Sequence, residues 1–197
     1  PMLRSLVGSE MCIRDRSYLF LRILKDKEDR RFKEWKTSFP LFLRTWTLQG
    51  MWVFLTSVSG VTAICSRVVL EPGVYFYVGC SLWIFGFLFE SISDYQKRKF
   101  KIKNPKDFIS SGLWSLSRHP NYFGEIVLWI GITIIAFPVL QGYQLFSLIS
   151  PLFVIWLLTK VSGIPLLEKH ADKTWGKKKE YKVYKDNTPV LFPKFFK

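Results

Sequence analysis

Four runs of apolar residues, each long enough to cross a bilayer, are separated by connectors that alternate between strongly basic and nearly uncharged. About 20 apolar residues span the hydrocarbon core as a helix, and only helices or closed barrels satisfy the backbone there. The runs fall near 41–65, 74–92, 122–140 and 145–164. The expected fold is therefore all-α: a polytopic transmembrane helix bundle of about four full spans. A remnant N-terminal helix (SYLFLRIL, from Ser17) and a helical C-terminal tail complete it. The apolar fraction, 49%, is ordinary for a soluble domain, so the clustering of apolar residues carries the argument.

The charges give an orientation. Lys and Arg number seven in 25–44, one in 66–72, seven in 94–120, none in 139–144 and ten from Lys160 onward. The positive-inside rule then places 25–44, 94–120 and the tail in the cytoplasm. It also accounts for the net charge of +14 without nucleic acid, because the cations flank apolar spans and are not interleaved with stacking aromatics. Membrane lipids are the expected surroundings. Cys12, Cys65 and Cys80 have no metal-ligand spacing and His119 and His170 are far apart, so no metal is expected.

Pro1–Arg16 (PMLRSLVGSEMCIRDR) has neither helical nor strand periodicity, and no apolar core of signal-peptide length. SLVGSEMCIRDR resembles a translated sequencing-adapter read-through. Residues 1–16 are read as a non-native segment, and 17–197 as the transmembrane domain.

Polar groups at span ends mark candidate chemistry. Glu90 and Asp94 share a helix face at i, i+4, followed by Lys97, Arg98, Lys99 and Lys101. In SRHPNYFGE (Ser117–Glu125), Pro120 is expected to open the third helix. That sets Arg118, His119 and Asn121 at a helix N-terminus, where free N–H groups and the dipole favour an anion. Arg118 adds a bidentate donor, and Glu125 lies one turn inside. In SGIPLLEKH (Ser162–His170), Glu168 stands where the fourth span ends, and Tyr181 and Tyr184 follow on one helix face. Each cluster also has a plain reading: snorkelling cations, a capped helix, interfacial tyrosines. Gly79 and Gly86 would permit close helix contact, and Asn104–Pro105 and Ser110–Gly112 would break any long helix.

Together these clusters resemble the membrane-embedded steroid 5-alpha-reductase-like proteins, especially their bacterial branch. The resemblance runs through EDRRF (Glu28–Phe32), Gln49–Gly50, Glu90, SISDYQ (Ser91–Gln96), Phe100–Lys101 and GLWSLSRHPNYFGE (Gly112–Glu125). It continues through Trp129, Ser150–Pro151, SGIPLLEK (Ser162–Lys169), Tyr181, Tyr184, Thr188 and Phe192–Pro193. The RHPNY element is similar in sterol reductases, which use NADPH, and in isoprenylcysteine carboxyl methyltransferases, which use S-adenosylmethionine. The resemblance implies cofactor contacts from Asp94, Lys101, Asn121, Tyr122 and Glu125, with Arg118 and His119 as further candidates. Glu168 and Tyr184 are the implied catalytic candidates. It also implies further N-terminal spans, expected to be missing here together with part of the substrate half.

Three functions follow. The first is NADPH-dependent reduction of a double bond in a lipid-like or steroid-like substrate, for which the Lys97–Lys101 cations suit a phosphorylated dinucleotide. The second is methyl transfer from S-adenosylmethionine. The third is a non-catalytic membrane or lipid-binding role. The five cofactor candidates Asp94, Lys101, Arg118, Asn121 and Glu125 are expected to converge on one pocket between the second, third and fourth spans.

Overall fold

The computed structural model describes residues 38–161 and 163–194. The adapter-like segment, the SYLFLRIL helix, the charged loop with Glu28–Phe32, Cys12 and Ser162 lie outside the described residues. No strand occurs among the described residues. Among the described residues, four helices are long and apolar enough to cross a membrane: Phe39–Ile64, Val74–Lys103, Pro120–Val139 and the composite Gly142–Trp175. The chain is an integral membrane protein of helical type.

Two compact units divide the chain at 1–51 and 52–197. Of the first, the structure describes the opening half of helix α1 (Phe39–Ile64). There Thr45 Oγ1 donates to Leu41 O at 2.8 Å, and the rings of Phe42 and Trp46 lie 5.9 Å apart.

The second unit is organised by α2 (Val74–Lys103) and α3 (Pro120–Ala136). They run antiparallel and touch through glycines. A Cβ at Gly79 would stand 2.7 Å from Gly131 O, and one at Gly86 2.5 Å from Gly124 O. The converse holds from α3, where a Cβ at Gly124 would meet Gly86 O at 2.7 Å and one at Gly131 would meet Gly79 O at 2.7 Å. Each helix offers its glycines seven residues apart, on the same face two turns on. Between apolar helices in lipid, such small residues are what let backbones approach. The expected role of Gly79 and Gly86 holds, with Gly124 and Gly131 as their partners.

Residues 52–64 of α1 join this pair through polar contacts. Ser59 Oγ, fully buried, lies 3.1 Å from Thr133 Oγ1, and Ser150 Oγ donates to Thr56 O. A Cβ at Gly60 would meet the Ile132 side chain at 3.3 Å.

Helix α2 continues as a helix well past its apolar part, through SDYQKRKFKIK, to Lys103. Lys and Arg are good helix formers, and Lys101 and Lys103 in the last turn suit the negative end of the dipole. Pro105 ends it by disfavouring helical backbone at Asn104. Pro120 opens α3 in its first turn, as expected.

The fourth span departs from the regular helix expected over 145–164. It begins as a 3-10 turn (Gly142–Leu148), becomes α4 (Ile149–Trp156) and loosens into a π turn (Leu157–Val161). Helix α5 (Ile164–Trp175) restarts with Pro165 in its first turn, and α6 (Lys179–Asn187) follows. Pro165, which lacks an N–H, explains why one continuous ladder is not possible there. Ile126 of α3 packs with Val154 and Leu158, and Leu191 of the tail closes on this cluster.

The Ser59–Thr133 contact yields a prediction. Ser59→Ala and Thr133→Val should each lower stability by about 1 kcal/mol, in the range measured for interhelical hydrogen bonds in membranes. A double-mutant cycle in reversible detergent unfolding should recover a coupling of similar size.

Candidate functional site

At the basic end of the bundle, the last turns of α2, the segment before α3, and α5 with α6 enclose a cavity of about 250 Å³. Its cations are Lys97, Lys101 and Arg118, and Phe108, Trp114, Trp175, Tyr181 and Tyr184 give it aromatic walls. Lys97 and Lys101 are one helical turn apart and so point the same way. Lys97 Nζ sits 4.9 Å from the Trp114 ring centre and Lys101 Nζ 4.7 Å from that of Trp175. Lys101 Nζ also donates to Asp107 O at 2.7 Å. Each lysine is thus held over an indole face, an attraction between the cation and the ring quadrupole.

Glu168 on α5 is the electrostatic centre. Its Oε2 accepts from Arg118 Nη1 at 2.6 Å, and its Oε1 lies 2.8 Å from His119 Nε2. Lys185 approaches the same carboxylate at 3.9 Å while binding Asp172 at 2.7 Å. His119 is buried and its ring stacks on Tyr122 at 5.7 Å. One acidic side chain on α5 thereby fixes both basic residues at the entry of α3.

The backbone of that entry is braced by the tail. Arg118 N donates to Pro189 O at 2.9 Å, Lys194 N to Leu116 O at 3.0 Å, and Ser117 Oγ to Leu191 O at 2.9 Å. Trp114 is tied from two sides, its Nε1 donating to Ser93 O at 2.9 Å while its carbonyl accepts from Tyr184 Oη at 2.7 Å. Burial pushes the Tyr184 phenol well above its ordinary value, and burial with Asp172 beside it pushes Tyr181 up to about 12. Both phenols therefore stay protonated near neutral pH. Lys178 donates to Asp107 Oδ1 at 3.0 Å and, with the Phe108 N–H, holds that carboxyl below the usual range. The folded value being the lower one, this contact is present at neutral pH and is lost as pH falls through it.

The structure divides the expected pocket in two. Lys101, Arg118, His119, Glu168 and Tyr184 line the cavity. Asp94, Asn121, Tyr122 and Glu125 are not among its lining residues. Asp94 and Glu125 instead form an acidic group with Glu90 on facing positions of α2 and α3, close enough for all three to feel one another's charge. Tyr122 stands beside that group. The division runs along the helix axis: Asp94 and Lys101 share a face of α2 but stand two turns, about 10 Å, apart, whereas Glu90 is one turn from Asp94. The two parts adjoin through Lys97, which senses Asp94 and Lys101, and through the His119–Tyr122 stack. Asn121, in the first turn of α3, has its Oδ1 buried without a hydrogen-bond partner, and so does Arg118 at Nε. Among the described residues no group of three His, Cys, Asp or Glu is arranged to hold a metal ion.

Sequence reasoning missed the aromatic walls. Trp114 and Trp175 lie 61 positions apart, and nothing local pairs them; the i, i+4 lysines beneath them were the available signal. The bracing of Ser117 by the tail residues 189–194 was also missed, because those bonds connect positions more than seventy apart.

A model of the family described as "Protein of unknown function (DUF1295)" matches residues 7–188. The chain belongs to this family. No curated protein and no solved structure matches it.

Glu168→Gln should lower stability by about 1–3 kcal/mol, because it leaves the largely buried Arg118 guanidinium facing a neutral amide. Lys185→Ala, whose close partner Asp172 is 46% exposed, should cost less than about 1 kcal/mol. Chemical unfolding of the two variants in detergent checks the ordering.

Proposed function

We propose that the chain is a membrane-embedded enzyme using NADPH to reduce a double bond in a lipid-like or steroid-like substrate, with its basic loops and tail in the cytoplasm. The resemblance to steroid 5-alpha-reductase-like proteins motivates the reaction class. The observation that carries the reading is the pair of buried, unpartnered polar atoms, Arg118 Nε and Asn121 Oδ1, at the start of α3 beside a cationic aromatic cavity. Buried polar groups are nearly always paired; the Arg118 Nε–H is a donor and fits an anionic oxygen at this helix N-terminus, while Asn121 Oδ1 is an acceptor and fits an N–H or O–H of the same ligand.

The residues present fit one end of such a cofactor. Lys97, Lys101 and Arg118 suit phosphates, with Trp114 and Trp175 holding the two lysines toward the cavity. The cavity, about 250 Å³, is below the usual 300–1,000 Å³ of a complete small-molecule site, so it suits part of a dinucleotide. When bound, reduced nicotinamide supplies a hydride to one carbon of an activated double bond, and a proton reaches the other carbon from a protein group or water. Glu168 orients Arg118 and His119 for this. The Tyr184 proton is already given to Trp114 O, which favours a role in holding the wall over one as proton donor.

A second reading is methyl transfer from S-adenosylmethionine, favoured by one observation. The Glu90, Asp94 and Glu125 carboxylates gathered beside the cavity would suit a sulfonium cation better than a phosphate.

Calorimetric titration of the purified full chain with each cofactor separates these. NADPH is expected to bind saturably, and Asn121→Ala to weaken it by about 1–3 kcal/mol, the cost of removing a buried polar partner. Saturable S-adenosylmethionine binding without NADPH binding would transfer the assignment to methyl transfer. Binding of neither would overturn both and leave a non-catalytic lipid-binding role.

A further inference from the structure

A second hollow lies at the basic end, lined by residues of α2 and of the loop that follows it. It encloses about 320 Å³ and is lined by Gln96, Lys99, Phe100, Lys103, Asn104, Ile109, Ser111 and Gly112. None of its lining residues is shared with the cavity except Ile109. Helical geometry separates the two. Lys97 and Lys101 are one i, i+4 pair and face the cavity, whereas Lys99 and Lys103 are a second such pair, turned about 200° away.

We infer that this hollow binds the headgroup of an anionic phospholipid. Three observations lead there. First, the lining contains two lysines and no carboxylate, so its charge is uncompensated by its own walls. Among the described residues, no ion pair of Lys99 or Lys103 is found, and Lys99 Nζ rests 5.9 Å from the Tyr95 ring centre. Second, the polar groups of Asn104 and Ser111 stand beside these cations, as a phosphate and its ester oxygens require.

Third, the face of α2 leading to the hollow is graded as a lipid is. Ile92, Tyr95, Lys99 and Lys103 follow one another at i, i+3 and i+4, hence in one row. Ile92 and Tyr95 are exposed. An acyl chain meets the isoleucine, the glycerol region meets the tyrosine, and the phosphate meets the lysines. Tyrosine belongs at the membrane interface, and basic pockets at the ends of membrane helices bind anionic headgroups. The loop that forms the other wall is shaped for it. Gly112 adopts φ +65°, and Gln96 Oε1 accepts from Leu113 N at 2.9 Å. These hold Ser111 and Gly112 against the last turns of α2. The inference stands apart from the cofactor reading, because neither lysine of the hollow lines the cavity.

The test uses the full chain in nanodiscs of phosphatidylcholine with or without phosphatidylglycerol, following thermal unfolding. Phosphatidylglycerol should raise the midpoint by about 2–5 °C, as expected of a ligand that binds only the folded state. Lys99→Ala with Lys103→Ala should remove most of that rise, and the corresponding double Arg variant should keep it. Lys173→Ala with Lys177→Ala removes the same charge from exposed positions outside the hollow, and should also keep it. Equal loss in this control pair would show that the general field of the basic end is responsible and overturn the site. An equal rise from inorganic phosphate in phosphatidylcholine discs would show that a free anion, not a lipid, is bound. Absence of any phosphatidylglycerol effect would likewise overturn it.

Discussion

The close approach of α2 and α3 is the constraint on which the rest depends. At four positions a single added methyl would stand 2.5–2.7 Å from a facing carbonyl oxygen, closer than any van der Waals contact. Lipid supplies no hydrophobic drive between helices, so dispersion over a tight backbone contact has to supply the attraction. The glycines also fix register. Gly79 faces Gly131 and Gly86 faces Gly124, so the chain cannot slide by one turn without placing bulky neighbours where there is no room. Toward the basic end the seam opens into larger contacts, where Phe89 meets Phe123 edge-on at 5.4 Å.

That register decides what meets at the basic end. It brings the acidic turn of α2, at Glu90 and Asp94, against Glu125 of α3. It sets Lys97 and Lys101, farther along the same face, near the start of α3, where Arg118 and His119 stand. Helices α5 and α6, joined to each other by the Lys185–Asp172 pair, then cap the arrangement through the Glu168 contacts and the Lys178–Asp107 pair. The tail returns to brace residues 116–118. The site is thus assembled from segments distant in sequence, with α5, α6 and the tail bonded to the stretch 106–119 that joins α2 to α3. Exposed ion pairs add little stability. The buried Arg118–His119–Glu168 contacts and the backbone bonds of the tail are the ones that place the entry of α3.

What depends on local order was legible in the sequence. Apolar runs gave the spans, Pro120 gave the start of α3, Asn104–Pro105 gave the end of α2, and two of the four seam glycines stood out. Long-range pairing was not. Gly124 and Gly131 reveal their role only beside Gly79 and Gly86. Trp114 and Trp175 become one wall only after α5 folds back. The fourth span looked uniform because hydropathy is blind to whether a helix is α, 3-10 or π. Asp94, Asn121 and Glu125 were grouped with Lys101 and Arg118 because all sit near the same membrane boundary, yet the two helical turns between Asp94 and Lys101, which share a face of α2, set them in different clusters.

The seam is tested most directly by alanine at its glycines. Gly86→Ala and Gly124→Ala should each destabilise the protein by about 1–3 kcal/mol in detergent unfolding, the usual cost of overpacking. Gly50→Ala, at a helical position where a Cβ would meet nothing within 4 Å, should leave stability unchanged or raise it by up to about 1 kcal/mol through helix propensity. Equal behaviour of all three variants would contradict the account, because it would mean that the α2–α3 contact tolerates a side chain where the structure leaves no space for one.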